Sequence, residues 1–210
     1  MNVLVVGATG RNGMAVVKQL QDQGHHVVAT GHNPAKLANI PSVERVVIDL
    51  VNEDVSTLVK KLPQNIDALI FTAGASQARP QDAVWIDLDG AVKMMDVARQ
   101  LDIPQFIMES AAGAGSRSTF DVYDIPLYYV TKYYAERILK SSGLTYTIVR
   151  PAILTDQAPT RTASLANNVP QISRTDVAEV LVDALMNDNF KNKAFDLFAG
   201  TTPLQLLEPK

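Results

Sequence analysis

The chain has 210 residues, 47% of them hydrophobic and 20% charged, a formal net charge of −3 at pH 7, three histidines and no cysteine. That composition suits one globular domain with a well-buried core, and it excludes a disulfide framework, a thiolate nucleophile and a cysteine-held metal. The mild acidity offers no bulk attraction to nucleic acid or an anionic membrane, and the histidines have no metal-ligand spacing, so no nucleic acid, membrane or metal partner is expected.

Short β-branched runs alternate with helix-period segments from the first residues onward. A strand is predicted at 2–6 (NVLVV), then a helix at 11–23 closed by Gly24, and a second strand at 26–30. Asn33-Pro34 supplies a cap and a first-turn proline for a helix at 34–39. Strands at 43–48, 67–71 and 104–109 alternate with helices at 53–62 and 83–101. A helix at 127–142 closed by Gly143 leads to a strand at 145–149, and Ser173 introduces a helix at 174–187 before a last strand at 194–198. The expected fold class is α/β: a Rossmann-type doubly wound parallel sheet flanked by helices, one domain over 1–210 with a small C-terminal substrate region. Two segments, 112–126 and 151–172, show no regular pattern, and loops of that length in a compact domain are usually functional or disordered. The N-terminus "MNVLVVGATG" lacks the basic region and cleavage site of a signal peptide. The apolar runs fall short of the roughly 20 residues of a membrane span, so a cytoplasmic protein is expected.

Gly7, Gly10 and Gly13 form G-x-x-G-x-x-G between the first strand and the first helix. One glycine turns the chain, another lets backbone N–H groups approach a diphosphate and the last packs helix on strand, while the helix N-terminus favours negative charge. With Thr9, Arg11 and Asn12 completing it, this loop is a candidate dinucleotide cradle. A NAD site usually carries an acid at the end of the second strand to hold the ribose 2′-hydroxyl. Here "VVATGHNPAKL" has none. Arg11, His32 and Lys36 could instead meet a 2′-phosphate by charge-assisted hydrogen bonds, which favours NADP(H) over NAD(H); Arg11 as a solvated helix-surface residue is the plainer alternative. Asp49, beside Leu50, is placed either to bind an adenine amino group or to cap its loop. Ala73 and Gly74 in "TAGAS" leave room for a ribose.

With these pieces the chain resembles the short-chain dehydrogenase/reductase superfamily, in its small atypical branch of NAD(P)-binding, NmrA-like and biliverdin/flavin-reductase-like proteins. The matching stretches are "GATGRNG" at 7–13, "IDL" at 48–50, "FTAG" at 71–74, "FIMESAAGA" at 106–114, "YYVTKYYAERILKSSGLTYTIVRPAILTD" at 128–156 and "ISRTDVAEVLVDAL" at 172–185. The resemblance implies that Tyr128 and Lys132 are the catalytic Tyr-x-x-x-Lys pair, with Lys132 also holding the nicotinamide ribose. Their i, i+4 spacing stacks the side chains on one helix face, and a neighbouring ammonium lowers a tyrosine pKa. Family members commonly place a catalytic hydroxyl second in a Ser-Ser or Thr-Ser pair after the fifth strand. Here the pair is Ser110-Ala111, so either Ser110 serves by a one-residue shift or the hydroxyl is absent. Glu109 reads as a strand-end carboxylate rather than a catalyst.

Pro151 begins the segment that closes over the nicotinamide in the family, where Ile153 and Leu154 would form an apolar wall. Arg161 is a candidate for an anionic group, and Arg174 and Asp176 are read as fixing their helix. The expected function is an NADPH-dependent oxidoreductase passing hydride to a small carbonyl, flavin or quinone. The alternative is a non-catalytic NADP(H)-binding redox sensor; a nucleotide-sugar epimerase fits less well, because such relatives usually carry a larger C-terminal domain. The expected partner is a small-molecule substrate, and the expected state a monomer or weak homodimer.

Overall fold

Alternation along each strand splits the protein into two cores. Val3 and Val5 face one way, with Ala29, Ile70 and Ile107, whereas Leu4 and Val6 face the other, with Val28, Phe71, Phe106 and Met108. Strands buried on both faces in this manner belong to a parallel sheet covered by helices on each side. The computed structural model, which describes residues 1–75, 79–120, 125–166 and 169–209, has that architecture.

In chain order the strands are β1 (Asn2–Val6), β2 (His26–Gly31), β3 (Glu44–Val47), β4 (Ala68–Phe71), β5 (Gln105–Glu109) and β6 (Thr145–Pro151). They continue as β7 (Ile153–Thr155), β8 (Thr162–Ser164), β9 (Gln171–Ser173), β10 (Lys193–Ala199) and β11 (Thr202–Pro203). The helices are α1 (Arg11–Asp22), α2 (Pro34–Ala38), α3 (Val55–Lys61), α4 (Ala91–Gln100), α5 (Pro126–Ser141) and α6 (Arg174–Asp183). The main sheet has nine strands in the order β11-β8-β10-β6-β5-β4-β1-β2-β3, and β8 runs opposite in direction to the others. Helices α1 and α6 cover one face with Val16, Leu20, Val177 and Leu181, and α3, α4 and α5 cover the other with Leu58, Met94, Met95 and Leu139. Strand order reverses between β1 and β4, and the crevice at their carboxyl ends is where open α/β sheets bind ligands.

The structure corrects three expectations. The 151–172 segment is not irregular throughout: β7 and β9 pair in parallel as a separate ribbon, and β8 joins the main sheet beside β10. Strands of three residues are too short to show a period of two. The expected helix at 83–101 is a π-helical turn, Val84–Gly90, running into α4, and α6 stops at Asp183 instead of continuing to 187. The caps at Asn33 and Ser173 form as the sequence implies, accepting N–H bonds from Lys36 and Thr175. Part of the 112–126 segment, residues 121–124, lies outside the described residues, as do residues 76–78 and 167–168.

Candidate functional site

Gly7 stands where the chain leaves β1. Its φ of +89° is open to glycine, and a Cβ there would lie 2.7 Å from the Ala73 backbone. Gly13 allows the closer approach: a Cβ would fall 2.2 Å from the Gly7 carbonyl oxygen, so α1 rests directly on the loop. Backbone drawn in this tightly leaves a cleft of about 750 Å³ over the ends of β1, β2 and β4. Gly7, Thr9, Gly10, His32, Asp49 and Leu50 line it, joined by Ala73 and Gly74 across the crevice. Sequence reasoning missed the opposite wall, where Arg79, Trp85 and Ile86 close the cleft. Trp85 is 54% exposed and belongs to the π-helical turn, whose geometry has no simple sequence period. Lys36 and Thr9 form the shared edge between this cleft and a smaller hollow of about 350 Å³.

Not every expected cofactor residue lies in the cleft lining. Arg11 turns toward the segment after β6 and pairs with Asp156 Oδ2 at 3.2 Å. Asn12 is held between two partners, its amide donating to Glu109 and its carbonyl accepting from Arg174. Pro151 is buried in β6, paired in register with Leu197. Asp49 lines the cleft, but its carboxylate accepts from the backbone N–H groups of Val51 (2.9 Å) and Asn52 (3.1 Å) and from the Asn52 side chain (2.8 Å). The Asn52 side-chain bond leads the causes that hold its carboxyl below the ordinary range. It caps its loop, the plainer of the two sequence readings. Arg161 is likewise committed, paired with Glu179 at 2.7 Å, while Asp176 accepts the Thr160 and Arg161 backbone N–H groups. Ile153 stays 52% exposed, whereas Leu154 packs against the α1/α6 core.

Tyr128 and Lys132 do stack on α5, with the ammonium 5.6 Å from the centre of the Tyr128 ring. Nothing in the neighbouring residues of α5 points to what holds them. Asp87, fully buried in the π-helical turn, pairs with Lys132 Nζ at 2.9 Å and accepts the Ala75 N–H at 2.8 Å. Burial works against the charge on Lys132, but Asp87 foremost, then Tyr128 and Glu109, more than offset it and raise its pKa. The expected lowering of the tyrosine pKa does not follow. Burial dominates and raises the Tyr128 pKa, with only partial relief from Lys132, whose charge Asp87 already neutralises. Burial thus makes Tyr128 a weaker acid than a neighbouring ammonium alone would.

Side-chain parity on β5 separates Glu109 from Ser110. Ser110 follows Phe106 and Met108 to the α5 side, where its hydroxyl donates to Glu136 at 2.6 Å. Glu136 in turn is gripped by Arg150 Nε at 2.9 Å and Nη2 at 2.6 Å. This commits the one hydroxyl of the Ser110-Ala111 pair to a buried ion pair, while Ala111 packs beside Tyr128 and Tyr129. Glu109 follows Ile107 to the α1/α6 side, where it meets Asn12, and its backbone oxygen accepts from Lys132 Nζ at 3.3 Å. Among the described residues no group of acids or histidines is arranged to hold a metal, and no helix is long and apolar enough to cross a membrane.

A Rossmann-like sheet with a glycine-cradled cleft at its reversal point defines a dinucleotide-binding protein. The chain belongs to the NAD(P)H-binding family, whose model matches residues 7–188. It is 37% identical over 212 residues to a Bacillus subtilis protein named "Uncharacterized sugar epimerase YhfK", covering 97% of each chain. Among solved structures it is similar to the oxidoreductase ylbE of Lactococcus lactis, with a TM-score of 0.87, 25% identity and 98% of this chain and 94% of that one covered. A short-chain dehydrogenase/reductase of Veillonella parvula in complex with NADP shares the fold at a TM-score of 0.72 and 19% identity, covering 96% of this chain and 95% of that one.

Proposed function

We propose that this protein is an NADPH-dependent oxidoreductase that passes hydride to a small carbonyl, flavin or quinone. The observation that carries the reading is the Tyr128–Lys132 pair held by Asp87, which lies outside the cleft lining but directly follows Ile86 in the cleft wall. The cradle suits a dinucleotide, because a Cβ at Gly7 or Gly13 would collide with the backbone of Ala73 or of Gly7 and push apart the loop whose N–H groups and helix N-terminus would face a diphosphate. Gly7, Gly10, Ala73 and Gly74 would hold the adenosine and diphosphate half, and Lys132 the nicotinamide ribose. The bound dinucleotide would supply the hydride. Tyr128, kept protonated by its surroundings, would deliver the proton to the acceptor oxygen, a contribution of about 10²–10⁴-fold for a positioned general acid.

Preference for the 2′-phosphate rests on Lys36 and His32 at the cleft and on the lack of a carboxylate at the end of β2, not on Arg11. The NADP carried by the Veillonella parvula relative is consistent with that choice. A second reading, a non-catalytic redox sensor, is favoured by Ser110 and Ala111: the hydroxyl that would polarise a carbonyl is bonded to Glu136. The epimerase name of the Bacillus subtilis relative makes nucleotide sugars a necessary arm of any screen.

The experiment is NADPH oxidation followed against aldehydes, quinones, flavins and nucleotide sugars. Turnover with an acceptor that falls by about 10² or more in Tyr128→Phe, with NADPH affinity unchanged, supports the oxidoreductase. Tight NADPH binding with no turnover on any acceptor supports the sensor. Lys36→Ala should weaken NADPH binding about tenfold while leaving NADH binding alone, as loss of one charge-assisted hydrogen bond predicts. Arg11→Ala should leave the NADPH/NADH ratio unchanged.

A further inference from the structure

Glu109 is the buried carboxyl that the chemistry above does not use. It ends β5 at 5% exposure, one oxygen accepting from Asn12 and the other, Oε2, without a hydrogen-bond partner among the described residues. Its position is fixed from both sides. Asn12 belongs to the first turn of α1, two residues beyond Gly10, and Lys132 donates to the Glu109 backbone oxygen. The carboxyl therefore lies between the expected diphosphate cradle and the lysine expected to hold the nicotinamide ribose.

The charges that face it are already spoken for. Lys132, from α5, is paired with Asp87 of the π-helical turn at 2.9 Å, and Arg174, from α6, with Asp156 at 2.9 Å. Arg174 reaches Glu109 only through the Asn12 amide, and Tyr128 from α5 is a neutral phenol. An ionised Glu109 has no cation of its own, and an anionic diphosphate in the adjoining loop would add like charge. A protonated Glu109 has the opposite character: Oε2 becomes an O–H donor and has something to offer a ligand oxygen.

We propose that Glu109 is a dinucleotide contact that engages as a neutral carboxylic acid, so that binding of the anionic diphosphate takes up one proton from solution. This rests on the dinucleotide-binding reading above. The proton comes from water or buffer and ends on the Glu109 carboxylate, with no bond broken elsewhere. Burial, foremost, pushes the Glu109 carboxyl up to about 7, against partial relief from Lys132, the Asn12 hydrogen bond and Arg174, so the uptake falls in an accessible pH range.

The test is calorimetric titration with NADPH and with NADH at pH 8, each in two buffers of different ionisation enthalpy. A group that titrates near 7 is about nine-tenths ionised at pH 8, so an uptake of about 0.9 proton per dinucleotide is expected, with affinity falling about tenfold per pH unit above pH 8. NADH lacks the 2′-phosphate, so equal uptake with both dinucleotides excludes that phosphate and a His32 partner as the source. Glu109→Gln should bind with no uptake and a flat pH profile. Should that variant fail to fold, Glu109→Met takes its place. Binding by the unaltered protein without proton uptake, or uptake that persists in the variant, overturns the inference and leaves the cofactor reading standing. Failure of both dinucleotides to bind anywhere from pH 6 to 9 overturns both.

Discussion

A carboxyl that titrates near neutrality inside a folded protein also ties stability to pH. Glu109 has an ordinary value of 4.5 when exposed and about 7 in the folded protein. The folded state therefore holds the proton more tightly, and the stability this contributes is complete below about pH 4.5 and is lost as pH rises through about 7. A shift of that size corresponds to about 3 kcal/mol. Urea unfolding at pH 5 and pH 8 should show Glu109→Gln close to the unaltered protein at the lower pH and more stable at the higher one. A variant that tracks the unaltered protein at both would mean that Glu109 relaxes or finds a counter-charge. At this scale much of the site was legible: the glycines, Lys36, Tyr128 and Lys132 stand in local patterns that physical chemistry explains. Asp87 and Glu109 were not, because nothing in the adjacent sequence states that a carboxylate will be buried. Ser110 was legible in principle, since sharing parity with Phe106 and Met108 assigns it to the α5 side.

Among the elements, the β1–α1 junction is the most tightly specified. Gly7 and Gly13 are related by backbone contact alone, so no rotamer change can accommodate a larger residue at position 13. Gly13→Ala should displace α1 from the loop and cost about 1–3 kcal/mol, the usual range for overpacking. Because the same shift opens the cradle, dinucleotide affinity should fall as well; a stability loss with affinity intact would show that the loop and helix move separately. The long strands and helices were predicted to within a few residues, since β-branched runs bounded by Gly, Asn and Pro express their own geometry. The ribbon of β7 and β9 was not, and neither was the π-helical turn. Three-residue strands exist through their partners, and the π-helical turn holds Asp87 against Lys132 and the Ala75 N–H, contacts far away in sequence.

Across the whole molecule, one ion cluster ties helix α5 to neighbouring strands of the sheet face it covers. Arg150 of β6, whose side chain is 12% exposed, grips Glu136 of α5 and reaches Asp196 of β10 at 3.4 Å, and Ser110, just after β5, adds a hydrogen bond to Glu136. Removing one partner of a buried pair leaves an uncompensated charge, so Arg150→Met should cost about 3–5 kcal/mol in chemical denaturation. Adding Glu136→Leu should recover most of that loss; a double variant as unstable as the single one would mean that the cluster acts through geometry beyond the pair.

The Asn12–Arg174 contact spans 162 positions, and Arg11 and Arg174 meet on a single carboxylate, Asp156. A contact of such sequence separation forms only after most of the chain has been synthesised and the first and last helices have docked. During synthesis the glycine loop would leave the ribosome early, yet Asn12 would wait for residue 174 before its amide is fixed. Because β10 and β11 follow residue 174, the far edge of the sheet and this contact are both completed only near the end of the chain. Cofactor capture becomes a late event, open only to chains that have already closed on themselves.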